Sequence, residues 1–212
     1  PEARPLPWKA IKDPYRIWLS EIILQQTRVA QGQPYYEKFI AAFPSIADLA
    51  AADLDTVMKL WEGLGYYSRA RNMLAAARQV MEEFEGQFPR THADILSLKG
   101  VGPYTGAAIA SFAYDLPRAV VDGNVYRVLA RFFGLDTPID TTAGKQTFAQ
   151  LAQDCLDHSP PPRYNQAILD FGASQCTPRQ PRCTDCPLQD HCQARVMGTV
   201  NSLPVKIKKL KK

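Results

Sequence analysis

The chain has 212 residues, 22% of them charged, and a formal net charge of +4. That length can bury a sizeable core in one domain or two small ones, and the modest positive excess permits a polyanionic partner without requiring one. No apolar run approaches the roughly 18 residues of a membrane helix and no signal-peptide pattern is visible. Five cysteines, four of them crowded near the C-terminus, fit a metal site in a reducing compartment rather than a secreted disulfide framework.

The pattern is helical nearly throughout, so the expected class is all-α. Asp13-Pro14 opens a first helix, with Pro14 at its first position, running through Ile17, Leu19, Ile22, Ile23 and Leu24 to about Val29. Shorter helices are predicted at 35–42, 46–51 and 54–61, the last capped by Asp53. Residues 68–84 place Met73, Leu74, Ala77, Val80, Met81 and Phe84 at helical spacing. Further helices are predicted at 93–98, 104–114, 124–133, 143–155 and 164–172. The chain ends on a basic stretch, Lys206 to Lys212, with five lysines in seven residues. It reads as a solvated end, with an extra phosphate contact or the start of a linker as the alternative.

Two local patterns carry chemistry. The first is Cys176-x6-Cys183-x2-Cys186-x5-Cys192: four thiolates within seventeen residues can surround one metal centre. Zinc takes four-cysteine sets, and iron–sulfur clusters take them at less symmetric spacings, so spacing alone leaves both metals open. The second is Leu98-Lys-Gly-Val-Gly-Pro-Tyr-Thr105. Gly100 and Gly102 permit a tight turn, Val101 can plug it, and the following helix N-terminus offers N–H groups to a phosphate. Such a helix–hairpin–helix grips DNA backbone without reading sequence, and Lys99, Gly100, Gly102 and Thr105 are its candidate contacts. A similar Gly-apolar-Gly turn recurs at Gly63-Leu-Gly-Tyr-Tyr-Ser68. The alternative for each is an ordinary Gly-rich corner.

The hairpin, Val121-Asp-Gly-Asn-Val125 and the four cysteines together resemble the endonuclease III superfamily of helix–hairpin–helix DNA glycosylases. Within it the chain most resembles the catalytic region of the adenine-DNA glycosylase (MutY) branch. The resemblance extends over Leu6-Pro-Trp8, Ser20-Glu-Ile-Ile-Leu-Gln-Gln-Thr27, Trp61-Glu-Gly-Leu-Gly-Tyr-Tyr67 and Asn165-Gln-Ala167, essentially the whole chain. It implies a two-lobed fold: a six-helix domain over 24–118, and an iron–sulfur domain from 1–23 with 119–212. It implies a [4Fe–4S] cluster on Cys176, Cys183, Cys186 and Cys192. It also implies a monomer acting on double-stranded DNA with adenine opposite 8-oxoguanine or guanine, in the bacterial cytoplasm at the nucleoid. Full-length members carry a further C-terminal domain that recognises 8-oxoguanine. The expectation is that this chain lacks it and discriminates 8-oxoguanine from guanine less strongly.

The resemblance also assigns roles. Breaking the N-glycosidic bond of adenine needs a proton on the base and a negative charge near the sugar, and the base must leave the stack. Glu21 takes the place of the acid that protonates N7; by periodicity alone it would be a surface residue. Asp122 takes the place of the carboxylate that stabilises the sugar cation; alone it would be a turn and helix cap. Asn124 orients that carboxylate or a water. Tyr104 stands where bifunctional members place an attacking Lys, which implies a glycosylase without a lyase step. Gln25 and Tyr66 match positions that wedge beside the base opposite adenine, Gln166 one that bonds the adenine edge, and Trp8 and Leu24 the pocket wall. Arg69 and Arg71 are candidate phosphate ligands. His92, His158, His191 and Cys155 receive no role. Two alternatives stay open: a thymine-DNA mismatch glycosylase of the same superfamily, and a non-enzymatic iron–sulfur DNA-binding module.

Overall fold

The computed structural model describes residues 11–157 and 160–207. Trp8 and most of the lysine tail lie outside the described residues. Among the described residues the chain forms eleven α-helices and no strand, and no helix is long and apolar enough to cross a membrane. The helices sort into two units, one up to Leu116 and one from Pro117.

The first unit holds α1 (Pro14–Leu24), α2 (Val29–Ala42), α3 (Ile46–Ala51), α4 (Leu54–Trp61), α5 (Ser68–Glu83), α6 (His92–Ser97) and α7 (Pro103–Tyr114). The Asp13 carboxylate accepts the N–H groups of Tyr15 and Arg16, and Pro14 supplies the fixed φ of a first helical residue. The helix stops at Leu24 rather than Val29, because Gln25 leaves helical geometry and Gln26 takes a φ of 56°. Val29 instead opens α2, which begins earlier than the predicted Tyr35. Pro34 lies inside α2 and forfeits one backbone bond near the helix start, which the remaining turns absorb. Ser45, Asp53 and Thr91 cap α3, α4 and α6 with their side chains.

The core of this unit joins Ile17, Trp18, Leu19, Ile22 and Ile23 of α1 to Phe39, Trp61, Leu74 and Ile109. Each such burial stabilises by about 1.5–3 kcal/mol, so α1 stays with α2 and α7, on which it packs. This differs from the predicted division, which grouped residues 1–23 with 119–212. The boundary expected after residue 118 falls at Leu116.

The second unit holds α8 (Gly123–Phe133), α9 (Thr142–Asp154), α10 (Pro161–Ser174) and the short α11 (Gln193–Val196), which the sequence reading did not foresee. Its α8 packs on α9, α10 and α11, around Val125, Leu129, Phe148, Ala194 and Leu203. Two arginines, Arg127 and Arg131, are also buried on α8, at 7% and 3% exposure.

Candidate functional site

In the second unit Asp122 is the N-cap of α8. Its Oδ1 accepts the N–H groups of Asn124 at 2.7 Å and Val125 at 2.9 Å, and its Oδ2 accepts Asn124 Nδ2 at 2.7 Å. Three donors therefore fix the direction of both carboxylate oxygens. The capping and catalytic readings of this residue do not compete, because a cap holds the carboxylate still.

Asn124 is itself held. Its Oδ1 accepts from Arg127 Nη2 at 2.9 Å. The same guanidinium donates to the carbonyls of Gly172 at 2.6 Å and Cys176 at 2.7 Å. Burial lowers the Arg127 pKa below its ordinary value. Gly172 lets α10 approach: a Cβ there would stand 2.7 Å from Asn124 Cβ and 3.0 Å from its carbonyl oxygen. Asn165 is buried; it accepts the Val120 N–H at 3.0 Å and donates to the Arg118 carbonyl at 2.8 Å, pinning the segment that leads into Asp122. Gln166, the predicted adenine contact, is half-buried beside it on α10.

In the first unit Glu21 is half-buried on α1, between buried Ser20 and Ile22. Leu24, at the end of α1, packs on α2, its Cδ2 2.7 Å from where a Cβ of Gly32 would stand. The hairpin forms as read. Leu98 closes α6, Gly100 takes a φ of 78°, Val101 is buried, and Gly102 is the N-cap of α7 with no side-chain cap. A Cβ at Gly100 would meet Asn72 Cβ at 2.8 Å, so close packing and backbone conformation both require glycine there. A Cβ at Gly102 would meet nothing, which leaves room for a ligand's backbone at the helix start. Lys99 is exposed and its N–H is taken by Gln79 Oε1 at 3.1 Å. Tyr104 is half-buried in the first turn of α7.

Two predicted phosphate contacts are placed otherwise. Thr105 is 2% exposed, and its hydroxyl accepts from Gln25 Nε2 at 3.3 Å. Arg69 is half-buried and turns both Nη groups to five backbone carbonyls, those of Ile22, Ile23, Gln25, Leu64 and Gly65. Arg71, two residues on, is exposed. Tyr66 is 65% exposed and takes a φ of 48°.

The four cysteines line one cavity with Val128, Phe132, Phe171 and Leu188 around them, and Arg131, Gln175 and Arg182 also reach its wall. Burial, then the neighbouring sulfurs of Cys176, Cys192 and Cys186, push the Cys183 thiol up. Arg131 Nη1 donates to Cys176 Sγ at 3.5 Å and to the Thr177 carbonyl at 2.7 Å, setting positive charge beside the sulfurs. Among the described residues no three potential ligands close on a single ion. Four cysteines around one cavity supply the four thiolates that an iron–sulfur centre takes.

Residues 19–153 match the HhH-GPD superfamily of base excision DNA repair proteins. The chain belongs to that superfamily. Residues 176–192 match the iron–sulfur binding domain of endonuclease III, so this HhH-GPD chain carries a [4Fe–4S] centre in its C-terminal region. The chain is 42% identical to the adenine DNA glycosylase of Mus musculus, over 96% of this chain and 42% of that protein. It is 40% identical to the adenine DNA glycosylase of Buchnera aphidicola subsp. Baizongia pistaciae, over 89% of this chain and 53% of that one. It thus spans about half the length of these relatives. A thermostable thymine-DNA glycosylase superposes with a TM-score of 0.85 at 30% identity, covering 92% of this chain and 89% of that one.

The arginines of the second unit and Gly172 were not foreseen as site residues. One signal was available. Arg127 and Arg131 stand four apart on the apolar face that carries Val128 and Leu129, and a buried face with charges on it needs partners.

Proposed function

We propose that this chain is the catalytic region of an adenine-DNA glycosylase. It takes double-stranded DNA, extrudes adenine mispaired with 8-oxoguanine or guanine, and hydrolyses its N-glycosidic bond. The carrying observation is the Asp122 cap, whose carboxylate is oriented by three N–H donors, two of them from Asn124. The identity to adenine glycosylases over nearly the whole chain supports the choice of base.

Glu21 delivers a proton to adenine N7, and the bond electrons leave with the base. Asp122 offsets the positive charge that develops on the sugar. Water adds its hydroxyl to the anomeric carbon and gives its remaining proton to the Glu21 carboxylate. Asn124 keeps Asp122 in place. Tyr104 has no amine to attack the sugar, so the product is an abasic site with an intact backbone. Gln25 and Tyr66 wedge beside the base opposite adenine, and Gln166 reads the adenine edge. Trp8 and Leu24 wall the pocket, Leu24 through its packing on α2. Lys99, Gly100, Gly102 and Arg71 touch phosphate. Cys176, Cys183, Cys186 and Cys192 hold the [4Fe–4S] cluster, which braces the loop; Arg127 and Arg131 tie that loop to α8. The protein works as a monomer on DNA in a reducing compartment, where thiolate ligands persist.

The likeness to a thymine-DNA glycosylase keeps a second reading in view, with thymine opposite guanine as substrate. A single-turnover assay separates the two. Duplexes holding A opposite 8-oxoguanine, A opposite G, A opposite T and T opposite G are incubated with excess protein and read with and without alkali. Cleavage only after alkali, at mispaired adenines, is expected. Release of thymine from T opposite G, with adenine untouched, establishes the second reading.

A further inference from the structure

We infer that Arg69 is a positioning residue: its guanidinium clasps the end of α1, which carries Gln25, to the turn that carries Tyr66. The inference rests on the proposed reading of Gln25 and Tyr66 as the pair that probes the mismatch.

The clasp is built from backbone. Nη1 donates to the carbonyls of Ile22 at 3.0 Å, Ile23 at 2.9 Å and Gln25 at 2.7 Å. Nη2 donates to Leu64 at 3.4 Å and Gly65 at 3.3 Å. The last carbonyls of a helix lack partners within it, and here one side chain from α5 supplies them. The guanidinium also lies 4.9 Å from the centre of the Trp61 ring and 5.8 Å from that of Tyr66. Trp61 Nε1 donates to the same Gly65 carbonyl at 3.0 Å.

The turn needs such a hold. Gly63 and Gly65 take φ values of 92° and 70°, and Tyr66 follows at 48°. A bulky residue in the left-handed region costs roughly 1–2 kcal/mol and persists only where its surroundings fix it. Tyr66 has little burial to fix it, being 65% exposed. The carbonyl bonds and the stacked guanidinium do so instead. Gln25 is fixed from the other side by its bond to Thr105. The two probing side chains thus share one rigid seat across 41 positions of sequence (25 to 66). A phosphate contact would compete for Nη donors that are already engaged, and the Nε that has no partner is buried. Lys keeps the charge but not the planar fork that reaches five carbonyls.

The test uses the cluster-loaded protein and measures dissociation constants for duplexes with A opposite 8-oxoguanine and A opposite T, over a range of salt. Arg69→Lys should lower the mismatch preference at least tenfold, and Tyr66→Ala should do the same. The double variant should be no worse than Tyr66→Ala alone. The salt dependence of binding should stay as in the parent. Retained preference overturns the clasp, and so does a salt slope reduced by about 0.9, the signature of one lost phosphate contact. Should Tyr66→Ala and Gln25→Ala both be silent, the probing reading fails and takes the clasp's purpose with it. Loss of preference in those two with a silent Arg69→Lys sinks the clasp alone. If Arg69→Lys does not fold, amide exchange on the parent decides. Residues 22–27 and 63–67 should open together with one denaturant dependence, and independent opening refutes the clasp.

Discussion

Arg127 donates through Nη2 to Asn124 Oδ1 at 2.9 Å, and through Nε to the Cys176 carbonyl at 2.7 Å. One buried side chain thus spans the Asp122 cap of α8, through Asn124, and the first cysteine of the cysteine loop. Arg127→Lys keeps a charge but cannot reach three acceptors in one plane. Leaving buried carbonyls unpaired costs about 1–3 kcal/mol apiece, so thermal unfolding should show a loss in that range. Excision in single turnover should slow at least tenfold, because Asn124 loses its anchor. An unchanged rate alongside lower stability would confine Arg127 to the fold.

Asp122→Asn separates chemistry from capping. Asn caps helices about as well as Asp, so stability should change by less than about 0.5 kcal/mol. The negative charge near the sugar is gone, however, and the single-turnover rate should fall by several powers of ten with duplex affinity little changed. Glu21→Gln should do the same by removing the proton donor. If both variants keep the parental rate, the chain is a binding module rather than an enzyme.

How much of this site could be read from the sequence depended on whether the cause was local. The Asp13, Asp53 and Asp122 caps were legible, because the residue that bonds the helix start lies next to it. So was the hairpin, where Gly100 is demanded by its own φ and by Asn72. The end of α1 was missed because Gln25 to Arg28 hold no glycine or proline to mark a stop; only the positive φ of Gln26 breaks the helix. Arg69 read as a phosphate ligand since its partners lie up to 47 residues away, and nothing in a helical period marks a bond to a distant carbonyl. Arg127 and Arg131 failed for the same reason, with partners in the cysteine loop. Thr105 read as a phosphate contact, but its place as the third residue of α7 turns it inward, toward Gln25.

Gly172→Ala tests the close approach of α10 to Asn124, beside the Asp122 cap. The added methyl would stand 2.7 Å from Asn124 Cβ and within 3.1 Å of its backbone carbonyl, and backbone cannot swing aside. Overpacking of this kind costs about 1–3 kcal/mol, so the unfolding temperature should fall. Because the displaced group is Asn124, the excision rate should fall as well. Gly123→Ala is the control: nothing lies within 4 Å of its Cβ, and its rate should stay close to the parent's. A Gly172→Ala protein as fast as the control would show that Asn124 tolerates displacement.

Cys183→Ser tests what the cluster does. The four cysteines line a cavity in a loop with little regular structure, and the only described helix there is the four-residue α11. Such a loop has few backbone bonds of its own, and bound metal then supplies folding free energy that the chain lacks. The variant should carry less iron per chain and lose the visible absorbance of the cluster. Its loop should become the first site of proteolytic cutting. Arg131 would lose the cover that the ordered loop gives its guanidinium, so α8 should loosen at its C-terminal end. Duplex affinity should fall at least tenfold, while the single-turnover rate at saturating protein falls much less, because Glu21 and Asp122 are untouched. A cluster-free protein that binds and excises like the parent would remove the cluster from the bracing role.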